Sequence, residues 1–207
     1  FLLMSDKQKA FKALIDKRIY NFSYLARAHG SEGEAGPHWL NIMKLEVEDV
    51  NRGSGATLWL PLCIAIGDVW DLEGKELVGH LSAIFEFFNA EKRYKSAPEK
   101  VVRHMKKTHF DGELPDTELE LPFQVSYSET IITLCDVMSK IYEKLGKTSP
   151  ELIESKSFRS SVEKLDTLIK NLILVKLCNN MNNQCSSKTQ QILYSIDAIY
   201  ALNKVRH

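Results

Sequence analysis

The sequence predicts an all-α protein, an irregular multi-helix bundle, on three observations. Apolar residues recur at helical spacing in several separate stretches, those stretches open on capping residues, and glycine, proline and acidic residues collect between them. The clearest stretch runs from Ser128 to Gly146.

Ser5 and Gln8 make a capping box, and Phe11, Leu14, Ile15, Ile19, Phe22 and Leu25 form one stripe that Gly30 ends. A glycine- and acid-rich turn follows over 31–37. From Trp39 to Val50 two readings compete. Trp39, Met43, Val47 and Val50 suit a helical face, yet Leu45 and Val47 alternate with charged neighbours, and 51–55 could turn a β-hairpin into Leu58, Leu60, Leu62, Ile64 and Ile66. Helix is the expectation for 39–50. Pro61 argues against a central strand in the second stretch but suits a helix's first turn.

Glu76 to Lys95 places Leu77, Val78, Leu81, Ile84, Phe85 and Phe88 on a face too wide for one partner helix, so it belongs deep in the core. Pro98 opens a short helix to about His109, and Asp111 to Pro122 breaks the pattern. Leu119 to Tyr127 alternates, but Pro122 removes a donor, which favours an extended connector over a sheet strand. The helix of Ile132, Cys135, Met138, Ile141, Tyr142 and Leu145 ends at Gly146, and Ser149-Pro150 starts the next. Ser160 and Glu163 cap a long apolar band, Leu165 to Leu177, that is expected to end near Asn180. An asparagine-rich turn over 179–184 then leads to a last helix opened by Ser187 and Gln190, with Ile192, Leu193, Ile196, Ile199, Tyr200 and Val205 at helical steps. The short connection predicts antiparallel docking of these two helices, in a bundle of roughly six to eight helices.

A chain of 207 residues, 44% hydrophobic and 26% charged, can bury a core without metal or disulfide support. One domain over 1–207 is expected, with 110–122 the place where a subdivision would fall. With 27 basic and 27 acidic side chains the formal charge is zero, so nothing draws the whole molecule toward nucleic acid or anionic lipid. Three of the four cysteines, Cys63, Cys135, Cys178 and Cys185, sit in apolar runs, which fits free thiols in a reducing compartment. Phe1 to Met4 is too short for a signal-peptide core, and Leu58 to Val69 is too short and interrupted for a bilayer span. A cytoplasmic protein is expected.

Motifs with chemistry are sparse. There is no G-x-S-x-G, no G-x-x-x-x-G-K-[ST] and no G-x-G-x-x-G, and Gly53-Ser54-Gly55 reads as a flexible turn. His104 and His109 point to different sides of a helix, so a metal site there needs ligands from elsewhere. Cys178 and Cys185 would flank the asparagine-rich turn, with Cys178 buried on its band. Asp68 and Asp71 beside Trp70 read as a solvent-facing edge, and Asn21-Phe22-Ser23, a glycosylation tripeptide, falls inside a helix. The most distinctive polar feature is a charge switch. Lys92, Arg93, Lys95, Lys100, Arg103, Lys106 and Lys107 precede Asp111, Glu113, Asp116, Glu118 and Glu120.

No cofactor or metal is expected, and the chain is read as a non-enzyme: a scaffold or adaptor that binds other protein subunits in a complex through helix faces. The alternative is a peripheral binder of anionic surfaces, lipid headgroup or nucleic-acid backbone, through the basic segment 92–107. Membrane contact is expected to be peripheral at most, and nucleic acid is not the expected partner.

Overall fold

Cap chemistry and apolar stripes set the helices out along the chain. The computed structural model describes residues 4–30, 38–40, 42–44, 56–94 and 126–196, with the backbone alone for 56–58 and 91–94. These form α1 (Asp6–His29), α2 (Ala56–Asp68), α3 (Gly74–Tyr94), α4 (Tyr127–Gly146), the short α5 (Pro150–Glu154), α6 (Lys156–Ile169), a π-helical turn (Lys170–Leu174) and α7 (Val175–Ile196). The fold is all-α, with no strand among the described residues.

α1 and α4 form the spine. The predicted capping box starts α1: Ser5 Oγ accepts from the Gln8 amide at 3.2 Å, and the Ser5 amide donates to Gln8 Oε1 at 3.0 Å. Ser5 Oγ also donates to Glu154, which pairs with Lys7 at 3.6 Å, tying this end to α5. Phe11, Ile15, Phe22 and Leu25 of the predicted stripe are buried against α4, whose Ile131, Leu134, Met138, Ile141 and Leu145 are sealed from solvent. Gly30 ends α1 where a side chain would be crowded, since an added Cβ would lie 3.1 Å from Ile132 Cδ1.

α2 packs on α4 and α3 and buries Trp59, Leu62, Ala65 and Ile66, with Val69 just past its end, a 3.6-residue repeat rather than the alternation of a hairpin. Pro61 lies within α2, one turn later than expected for a helix start. Gly74 opens α3 at φ +52°, a left-handed conformation that disfavours any residue with a Cβ. All six predicted core residues of α3, from Leu77 to Phe88, are buried, and α3 packs on α6 through Phe158, Val162, Leu165 and Ile169.

Several expectations are corrected. Residues 39, 40, 42 and 43 are not helical but belong to a tight turn, in which the Trp39 amide donates to the Met43 carbonyl at 2.7 Å; 41 and 45–50 lie outside the described residues. Tyr127 begins α4 rather than ending an extended connector, because Ser126 caps the helix, accepting from the Glu129 amide. The helix expected from Ser160 starts earlier, at Lys156, since Ser155 supplies the cap. The apolar band then continues through the π-helical turn, where the Val175 amide bonds the Lys170 carbonyl. Leu172, Ile173 and Leu174 are all buried there, and three consecutive residues span too wide an arc for one α-helical face.

The largest correction concerns 179–184. No turn forms and no antiparallel pair follows, because α7 runs unbroken from Val175 to Ile196. Asparagine has low helix propensity, but this stretch holds no glycine or proline, and tertiary partners engage its side chains. Asn180 Nδ2 donates to the Tyr127 hydroxyl at 2.8 Å, Asn182 Oδ1 accepts from Trp39 Nε1 at 2.8 Å, and Met181 between them is buried.

Candidate interaction surface

The predicted basic segment is not assembled by the described structure. Lys92 and Arg93 belong to the last turn of α3, described by its backbone alone, and Lys95, Lys100, Arg103, Lys106 and Lys107 lie outside the described residues, as do His104, His109 and the acidic run from Asp111 to Glu120. Gly53 to Gly55 and the expected helix from Pro98 also lie outside them. Asp68 and Asp71 face solvent as expected, and Trp70 beside them receives Lys144, which donates to its carbonyl and stands 5.7 Å from its ring centre. In the glycosylation tripeptide Phe22 is fully buried within α1.

Cys178 and Cys185 do not flank a turn. Both lie along α7, each half-buried, and burial raises both thiols. Burial likewise pushes Cys63 up to about 11 and raises Cys135 further. None of the four is poised as a thiolate at neutral pH. Among the described residues no group of three or more histidine, cysteine or acidic side chains is placed to hold a metal ion, and no helix is long and apolar enough to cross a membrane.

The buried polar groups went unread in the sequence. Arg18 Nε and Nη2 donate to the two carboxylate oxygens of Asp166 at 2.6 and 2.7 Å, and the Tyr142 hydroxyl donates to Asp166 Oδ1 at 2.8 Å. The pair holds Arg18 charged, while burial and then the Asp166 carboxylate hold Tyr142 protonated. These groups are directed at one another and join α1, α4 and α6 as a brace. A signal existed, for Arg18 falls on the stripe between Ile15 and Phe22 and Asp166 on the stripe of Val162 and Ile169. His29 is the second such group. Its Nδ1–H donates to the Leu25 carbonyl at 2.8 Å, while the buried Nε2 has no hydrogen-bond partner among the described residues and the ring stands 6.2 Å from that of Tyr127. Burial lowers its pKa.

A cavity of about 460 Å³ opens between α1 and the end of α4, with Phe11, Ile15 and Ile19 in its floor and Lys12, Asp16, Glu143 and Lys147 among its lining residues. Its lining is mainly apolar and its charges are of both signs, so it is not tuned to one ionic ligand.

Two exposed apolar features are connected with α7. In the turn closed by Trp39 and Met43, buried Trp39 anchors the chain between α1 and α7, its ring 5.7 Å from Tyr24 and its Nε1 on Asn182. The Tyr24 hydroxyl donates to the His38 carbonyl at 3.0 Å and accepts from the Leu40 amide at 2.9 Å. Leu40 is thereby held at φ 51°, a conformation that costs a residue with a side chain about 1–2 kcal/mol. The turn presents Leu40 and Ile42 to solvent, 58% and 75% exposed.

The second feature is the far half of α7. Leu177, Cys178, Met181 and Cys185 seat the helix on the body, and helical steps from these continue to Ile192 and Ile196. Exposure climbs along that continuation, from 42% at Ile192 and 46% at Leu193 to 77% at Ile196. Past Met181 no described residue of α7 is buried. The polar residues there are asparagine, glutamine, serine and threonine, and Lys176 and Lys188 are the only charged side chains between Val175 and Ile196. A solvated helix face ordinarily carries interspersed charges, whereas depletion of charge marks the centre of an interface. Comparison with protein-family models, curated proteins and solved structures finds no match to this chain.

Proposed function

We propose that the protein is a non-catalytic helical interaction module, a scaffold or adaptor subunit that engages other proteins through helix faces. One observation carries the reading: the apolar stripe that docks α7 onto the body extends past it onto exposed Ile192 and Ile196 in a nearly uncharged stretch of helix. An exposed apolar stripe gains by burial, at about 25 cal/mol per Å² removed from water. The strained, solvent-facing Leu40 turn, braced on α7 through Trp39 and Asn182, adds a second apolar element attached to that helix.

The test is binding by the intact protein and by two contrasting variants across a salt series. Association lost in Ile192→Glu, unaffected in the double charge reversal Arg103→Glu with Lys106→Glu and nearly indifferent to salt supports an apolar helix interface. The opposite pattern, with affinity collapsing as salt rises, would transfer the function to the basic segment 92–107 and an anionic surface.

A further inference from the structure

We infer that the corner where the end of α1, the start of α4 and the middle of α7 meet is a proton-operated latch. Neutral His29 holds it shut, and a proton taken up at Nε2 opens the last turn of α1, displacing Tyr127 and, through it, Asn180. The closed corner has no place for that proton. His29 is 1% exposed, its Nδ1–H is engaged by the Leu25 carbonyl, and a second N–H at Nε2 would find no acceptor among the described residues. A buried donor without an acceptor is costly, and a buried charge costs more. The Tyr127 ring, 6.2 Å away and tilted by 50°, is too distant and too oblique to hold the cation over its face.

No neighbouring charge makes up for this among the described residues. The titratable groups on this side are Tyr127 and, beyond it, Cys135 of α4, with Cys63 of α2 and Cys178 of α7 near Cys135, all kept neutral by burial. Arg27, Glu129 and Lys176, the charged residues of these helices nearest in sequence, are exposed. The charge is therefore relieved by reaching water, and the helix end is the way out. The ring is bonded only within its own turn, and that turn is closed by the Gly30 amide on the Ala26 and Arg27 carbonyls. A helix end opens at lower free energy than the whole domain. The Arg18–Asp166 brace lies about 16 Å back along the helix at 1.5 Å per residue, outside the turn that opens. Across the corner, the Tyr127 hydroxyl receives Asn180, so displacing its ring frees the stretch of α7 that also carries the Asn182 bond to Trp39.

Hydrogen–deuterium exchange on the full chain between about pH 7.5 and 5, corrected for the intrinsic pH dependence of exchange, tests this. Opening that takes up one proton grows by up to about tenfold per pH unit between the ordinary 6.5 of an exposed ring and the lowered value of the buried one. Protection over 25–30, 126–131 and 178–184 is expected to fall together as pH drops through that window, while 11–22 and 134–145 keep theirs. His29→Gln should flatten all three responses. Tyr127→Phe keeps the ring and loses the hydroxyl, so the response should persist at 25–30 and vanish at 178–184. Wild-type protection at 25–30 that does not change with pH overturns the latch, as does a fall shared equally by 11–22, which is global unfolding. A response that survives His29→Gln, or one at 178–184 that survives Tyr127→Phe, overturns it too. Where His29→Gln does not fold, imidazole NMR of the wild type decides: titration of His29 below 6.5 supports the latch, and titration at or above 6.5 overturns it.

Discussion

α1 and α7 are nearly equal in length, 24 and 22 residues, yet they are held in different ways. α1 is capped at its start by a reciprocal box, carries charges of both signs on its outer face, and buries residues from Phe11 to His29 along α4. α7 begins as the continuation of a π-helical turn, fully buries only Leu177 and Met181, and runs on half-buried to exposed among residues that favour helix weakly. The first helix is secured by local signals and by packing together. The second is packed chiefly near its start, and asparagine, serine and threonine lend the rest of it little intrinsic helix stability. The difference separates a helix buried along its whole length from one buried near one end.

The sharpest break in the comparison lies in the brace of α1. Replacing Asp166 by Asn leaves the Arg18 charge buried without its partner and should cost about 3–5 kcal/mol in urea unfolding, whereas the double substitution Arg18→Met with Asp166→Leu should cost markedly less. Next comes the junction from which α7 departs. Leu172→Ala in the π-helical turn should cost about 2–5 kcal/mol, while Ile192→Ala in dilute protein should stay within about 0.5 kcal/mol. A large cost at Ile192 in a monomer would erase the distinction between the two helices.

A pH series sharpens it further. Because burial lowers the pKa of His29 from its ordinary 6.5, the folded state binds fewer protons there than the unfolded chain. The contribution is fully present above 6.5 and is lost as pH falls from 6.5 through the lowered value. Chemical denaturation at a series of pH values between about 6.5 and 5 should show falling stability in the wild type and a flatter line in His29→Gln. The smallest effect is expected at the strained turn, where Leu40→Gly should stabilise by at most about 1 kcal/mol by relieving the left-handed leucine. A loss of more than that would mean the exposed side chain is engaged elsewhere.

Much of the helical layout was legible from residue order alone. The box at Ser5, the stripe of α1, the six core positions of α3 and the helix ending at Gly146 follow from contacts between residues three and four apart. Where the reading failed, a distant partner had overridden a local preference. Asparagines at 179–183 suggested a turn, but Tyr127 and Trp39 take up Asn180 and Asn182 and the helix passes straight through. Trp39 suited a helical face until its burial against Tyr24 drew the chain into a tight turn. The candidate surface was half visible, since Ile192, Leu193 and Ile196 stood out as a stripe, but the sequence says nothing of whether a stripe is covered.

Periodicity, caps and composition therefore determined by themselves that the chain is helical, where α1, α3 and α4 begin and end, and which of their faces turn inward. These are consequences of backbone geometry and of apolar side chains avoiding water, and neighbours along the chain suffice to express them. Tertiary structure alone decided that Arg18 meets Asp166, that His29 is buried beside Tyr127, and that α7 buries only Leu177 and Met181. Those outcomes join residues as much as 148 positions apart, and side chains so distant become neighbours only once the helices have docked.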